Sequence, residues 1–108
     1  GVHNKIRFLK NVAGLWILQQ LKAGWAKTGE DLSYADLVAL AEQAGPAQQH
    51  IDPDDPRFVA PKDMAAAILD YCRSTDQPVP SGKGQFVRCV LESLALKYKE
   101  VIANLNSL

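Results

Sequence analysis

Residues 8–21, FLKNVAGLWILQQL, constrain the fold more than any other stretch of this chain. Wound as an α-helix, they carry two apolar stripes rather than one. Phe8, Val12, Leu15 and Leu18 form the first; Leu9, Ala13, Trp16 and Ile17 form the second. A surface helix needs a single stripe, so this helix must be covered on more than one side. It also carries Asn11 and Gln19, two amides that are costly to bury without hydrogen-bond partners. The helix is predicted over about Lys5 to Ala26. It contains no proline and ends near Lys27-Thr28-Gly29, where glycine can take the left-handed conformation that closes a helix.

Three further helices follow. Ser33 is a strong N-cap for the second, with Asp36 in its first turn and Leu32 and Leu37 placed as a hydrophobic staple. Leu37, Val38, Leu40 and Ala41 are its apolar residues, and Gly45-Pro46 stops it. From Pro46 to Pro61 the chain reads as a long loop rich in proline and aspartate, a length associated with functional loops or with loops packed on a neighbour. Pro61 suits the first position of a third helix, with Asp63 in its first turn. Met64, Ala67, Ile68, Tyr71 and Cys72 give that helix its apolar face. The fourth, about Gln85 to Asn106, repeats apolar residues at helical spacing from Val87 to Leu105. No stretch alternates with period two, so the expected fold is all-α.

Composition excludes several classes of function. The chain has 108 residues, about one domain, and is 47% hydrophobic, which excludes a disordered polar segment. Twelve basic residues balance twelve acidic ones, leaving no excess to attract nucleic acid or an anionic membrane. No apolar run approaches the ~20 residues of a membrane span. The N-terminal Gly1-Val2-His3-Asn4-Lys5 shows no signal-peptide core. These features describe an excised or processed piece of a soluble, cytoplasmic protein.

The chemically suggestive motifs dissolve on inspection. Asp52, Asp54 and Asp55 invite a calcium-loop reading. Counted from Asp52, however, Pro56 stands where a ligand belongs and Arg57 where the central glycine belongs. Turn and cap roles fit these aspartates better. Gly82-Lys83-Gly84 is no phosphate-binding loop, since Gln77 replaces its first glycine and Gly84 its hydroxyl residue. It reads instead as a flexible entry to the fourth helix. His3 and His50 have no acid or nucleophile predicted nearby, and serines 33, 74, 81, 93 and 107 have cap, turn or surface readings. Cys72 and Cys89 are either semi-buried thiols or a bridge between two helix ends. No catalytic residue and no metal ligand set emerges.

The order of motifs does resemble a known family. FLKNVAGLWILQQ (8–20), IDPDDPRFVAPKDM (51–64), YCRSTDQPVP (71–80) and VRCVLESLALKY (87–98) are similar to successive segments of the FGGY carbohydrate kinases, and specifically of their rhamnulokinase branch. The resemblance implies a helical part of the second of two actin-like (ribonuclease H-like) ATPase domains. The complete enzyme would phosphorylate L-rhamnulose to L-rhamnulose 1-phosphate with ATP and Mg2+. The family's catalytic aspartate, phosphate loop and glycine-rich nucleotide segment have no counterpart here, so the piece is expected to bind neither cofactor and to be inactive alone. The resemblance assigns the sugar contact to Asn11 and the nucleotide contact to Gln19. Eight residues separate them, which is ~12 Å along a helix and ~80° around it. One helix lining a cleft can therefore reach both ligands.

Two other readings stay open from the sequence. A kinase for another ketose or polyol shares most of these motifs. A stand-alone helical interaction module, using the first helix as a partner groove, accounts for the excess apolar surface without any enzyme. Either way that surface is expected to drive self-association through the first helix when the chain is isolated.

Overall fold

The computed structural model of the chain describes residues 16–106. Within that range the chain forms α1 (residues 16–27), α2 (Tyr34–Ala44), a single 3-10 turn (Pro56–Phe58), α3 (Met64–Ser74) and α4 (Lys83–Asn106), with no strand among the described residues. The expected all-α architecture is observed. No helix among the described residues is long and apolar enough to cross a membrane. The first ten or so residues predicted for the first helix lie outside the described range. Its end is as expected, with Gly29 at a φ of 97°.

Local chemistry sets the boundaries. Ser33 and Asp36 form a reciprocal capping box: the Asp36 N–H donates to Ser33 Oγ at 3.1 Å and the Ser33 N–H to Asp36 Oδ2 at 3.0 Å. Hydrogen bonds from the Ser33 backbone and side chain hold the Asp36 carboxyl below its usual range. Gly45, at a φ of 74°, ends α2. The third helix starts later than its proline suggests. Asp63 is its N-cap and accepts from the Ala66 N–H at 3.2 Å, so Pro61 lies outside the helix. An aspartate satisfies one of the orphan donors of a first turn, and proline has no side-chain acceptor with which to do so.

The fourth helix begins at Lys83, two residues before its predicted start, and α2 and α4 form the most extensive helix pair. Gly84 explains both facts. A Cβ placed there would stand 2.5 Å from the Leu40 carbonyl oxygen and 3.2 Å from Ala44 Cβ. The glycine is therefore a helical residue that lets two backbones approach, not merely a flexible entry. Lys83 anchors the same corner by pairing with Glu30 at 2.6 Å.

All four helices and the long loop feed one core. Ile17, Leu18 and Leu21 of α1 meet Leu37 and Ala41 of α2, Ile68 and Cys72 of α3, and Val87, Cys89 and Val90 of α4. Ile51 and Phe58 enter from the loop. Trp25 packs edge-on against Phe86, with ring centroids 6.3 Å apart. The two cysteines are free thiols and fully buried. Burial, with the neighbouring Cys72 second, pushes the Cys89 thiol up to about 12, and burial raises Cys72 as well. Both are packing residues rather than nucleophiles.

Candidate functional site

The first helix presents two different sides. Ile17, Leu18 and Leu21 are buried, whereas Trp16, Gln19 and Ala23 are exposed. Spacings of three and four residues put those three on one strip of the helix surface. Trp16 is 40% exposed, unusual for an indole on a helix whose neighbouring residue, Ile17, is 1% exposed. The helix is thus covered on its core side and open along the strip that carries Gln19. Asn11, the other residue singled out by sequence, lies outside the described residues. Gln19 is therefore the one sequence-predicted site residue among the described residues.

An exposed carboxamide on this strip can donate through its nitrogen and accept through its oxygen. It carries no charge, so it can hold either an anionic or a neutral ligand without a proton change. Between residues 16 and 27 the only charged side chains are Lys22 and Lys27, which makes this helix modestly cationic. Lys22 lies 3.8 Å from Asp31 and over the Tyr34 ring at 5.6 Å. Among the described residues no group of three or more His, Cys, Asp and Glu side chains could hold a metal ion. Trp16, Gln19 and Ala23, the residues of this strip, include no acid, base or nucleophile.

The loop between α2 and α3 behaves differently from its composition. Its aspartates take the turn and cap roles expected of them: Asp52 accepts from the Asp54 N–H and Asp55 from the Arg57 N–H, both at 3.0 Å. Lys97 of α4 reaches Asp52 at 3.3 Å and Asp54 at 3.6 Å. Further back, Glu92 accepts from the Ala47 N–H at 2.8 Å, from Arg88 Nε at 2.7 Å, and meets His50 Nε2 at 3.0 Å. Those donors, Ala47 first, then His50 and Arg88, hold the Glu92 carboxyl far below its usual range, at about 2. His50 therefore does have an ordered acid beside it, contrary to expectation.

Ser93 is likewise buried rather than on the surface. It accepts from the Ile51 N–H at 2.8 Å and donates to the Cys89 carbonyl at 2.6 Å. The Gln77 carboxamide spans the His50 backbone, accepting from its N–H and donating to its C=O, each at 2.8 Å. Gln49, 2% exposed, donates to the Pro78 carbonyl. Sequence reasoning missed Glu92, Gln77 and Gln49. Only the Arg88–Glu92 pair, four apart on one helix, left a sequence signal.

Comparison with known proteins identifies the lineage. The FGGY family of carbohydrate kinases, C-terminal domain, matches residues 1–108. A rhamnulokinase of Bacteroides thetaiotaomicron is 46% identical over 108 residues, one of Enterococcus faecalis 42% and one of Bacillus subtilis 36%. Each alignment covers 100% of this chain and 21% or 22% of the relative. The chain thus spans about a fifth of the length of the curated relatives it matches. Matched from its first residue to its last, the chain belongs to the FGGY family of carbohydrate kinases, in the C-terminal domain, whose fold is that of the actin-like ATPases.

Proposed function

We propose that this chain is the helical segment of the C-terminal domain of an ATP-dependent kinase that converts L-rhamnulose to L-rhamnulose 1-phosphate. The observation that carries the reading is the match to rhamnulokinases at 32–46% identity along essentially the whole chain. The open strip of α1 supports it, because a helix that lines a ligand cleft has to leave one side uncovered. On this reading the flanking strands and the catalytic domain belong to other parts of a longer protein. Its working compartment is the cytoplasm, and its substrates are the sugar and ATP.

ATP, with Mg2+, supplies the transferable phosphoryl group when bound. This chain's own contribution is to hold and orient. Gln19 offers its amide to the nucleotide from the exposed strip of α1. Asn11, eight residues earlier in sequence, offers its amide to sugar hydroxyls, which both donate and accept. Neither amide titrates, so neither supplies or removes a proton. Their effect is to fix two ligands relative to each other, which lowers the barrier by orientation. None of the described residues is assigned to Mg2+.

The test uses the full-length enzyme. Asn11→Ala is expected to lower kcat/KM for L-rhamnulose by about 10–100-fold, roughly 1.4–2.7 kcal/mol of transition-state binding. Gln19→Ala is expected to raise KM for ATP with a smaller effect on the sugar. Undiminished activity in Asn11→Ala removes the sugar role. The isolated 108-residue chain is expected to give no turnover. A panel of other ketoses and polyols tests the neighbouring specificity, and a higher kcat/KM on any of them displaces L-rhamnulose as the substrate.

A further inference from the structure

We infer that the chain carries a second binding site, for a small organic anion with an apolar body, in the cleft between the end of α1 and the start of α3. The cleft measures about 330 Å³, within the range of small-molecule pockets. Leu21 and Met64, 1% and 4% exposed, form its floor, and Trp25 stands along one wall. Lys27 and Lys62 approach it from opposite elements, α1 and the segment before α3, and both are exposed. Neither makes an ion pair with another described residue, unlike Lys22 and Lys83. Asp63 also lines the cleft, with its Oδ1 accepting from the Ala66 N–H as a helix cap.

Gly24 is the feature that makes this more than a surface hollow. It sits inside α1, where glycine costs about 1 kcal/mol relative to alanine. Two reasons ordinarily justify such a glycine, and neither applies. Its φ is not positive, and a Cβ placed on it would meet nothing within 4 Å. Gly84, the other glycine in the described helices, is justified at once by the Leu40 carbonyl. Gly24 instead lines the cleft, and its missing side chain keeps the space open. Volume held at a cost to helix stability, an apolar floor and two exposed ammonium groups with no ion-pair partner among the described residues fit one ligand class. It has a ring-sized apolar body and a carboxylate, sulfonate or phosphate monoester. This assignment is independent of the roles proposed for Asn11 and Gln19.

The probe is anilinonaphthalene sulfonate, an aromatic anion of suitable shape, titrated against the full chain by fluorescence. Wild type is expected to bind it saturably. Gly24→Leu fills the cleft from a helical position with free space around it, and is expected to weaken binding at least about tenfold, or 1.4 kcal/mol. The double variant Lys27→Ala/Lys62→Ala, both surface positions, is expected to do the same and to reduce the salt dependence of binding. Phenylnaphthylamine, the uncharged analogue, should be affected by Gly24→Leu but not by the lysine pair. Circular dichroism confirms that each variant is folded. Unchanged dye affinity in the double lysine variant overturns the anion assignment, and unchanged affinity in a folded Gly24→Leu overturns the cleft.

Discussion

Glu92 shows how a single carboxylate on α4 determines the path of a loop more than forty residues earlier in the sequence. It is 28% exposed in its side chain and accepts from Ala47, His50 and Arg88. Its carboxyl is held at about 2 in the fold, below the usual value of 4.5. The stability it contributes is therefore complete above about pH 4.5 and fades as pH falls towards 2. Partial exposure limits that contribution to about 1–2 kcal/mol, the range of charge-assisted hydrogen bonds near a surface. Glu92→Gln keeps an acceptor but loses the charge. Denaturant titrations from pH 7 to pH 2 should show the variant less stable at neutrality and flatter below pH 4.5. An acid limb identical to wild type would contradict the assignment. Little of this was legible in the sequence. Arg88 announces itself as a partner by helical spacing, but nothing local links Glu92 to Ala47 or His50, because those contacts exist only after the loop has docked.

At the scale of elements the sequence was more informative. Helix periodicity, the Ser33–Asp36 box and the stop at Gly45 are local chemistry, and the structure contains all three. Errors arose where two signals competed. Pro61 and Asp63 both mark a helix start, and the aspartate prevailed because it can bond a backbone N–H. Gly84 was ambiguous for another reason: glycine looks the same in a sequence whether it serves a turn or a crossing. Its real constraint comes from α2. Gly84→Ala would set a Cβ 2.5 Å from a backbone oxygen, which no side-chain rotation relieves. The helices must separate, at a cost of about 1–3 kcal/mol. Thermal unfolding should reveal it as a lowered Tm. Gly24→Ala, by contrast, should raise Tm slightly, since helix propensity is then the only change. A neutral Gly84→Ala would mean that the α2–α4 crossing is looser than described.

For the whole molecule, the two-stripe helix has been half explained. One side of α1 enters the core; the strip with Trp16, Gln19 and Ala23 stays open. In isolation that strip should promote self-association, giving a concentration-dependent sedimentation coefficient that falls back to monomer in Trp16→Lys. A clean monomer of wild type at all concentrations would contradict this. The sugar role proposed for Asn11 does not follow from composition; it rests on the motif order, because ligand contacts leave no periodic trace. The loop from Pro46 onward has a different consequence. Three successive commitments, Ala47 N–H to Glu92, His50 N–H to Gln77 and Ile51 N–H to Ser93, bind it to two separate parts of the chain. Inserting one residue between 47 and 50 would change the spacing of these donors, so that the Ala47 bond and the His50 and Ile51 bonds could no longer all form together. The segment around Val59, 69% exposed, should accept the same insertion with little loss. A stretch without regular secondary structure is thus as intolerant of length change as a strand inside a sheet.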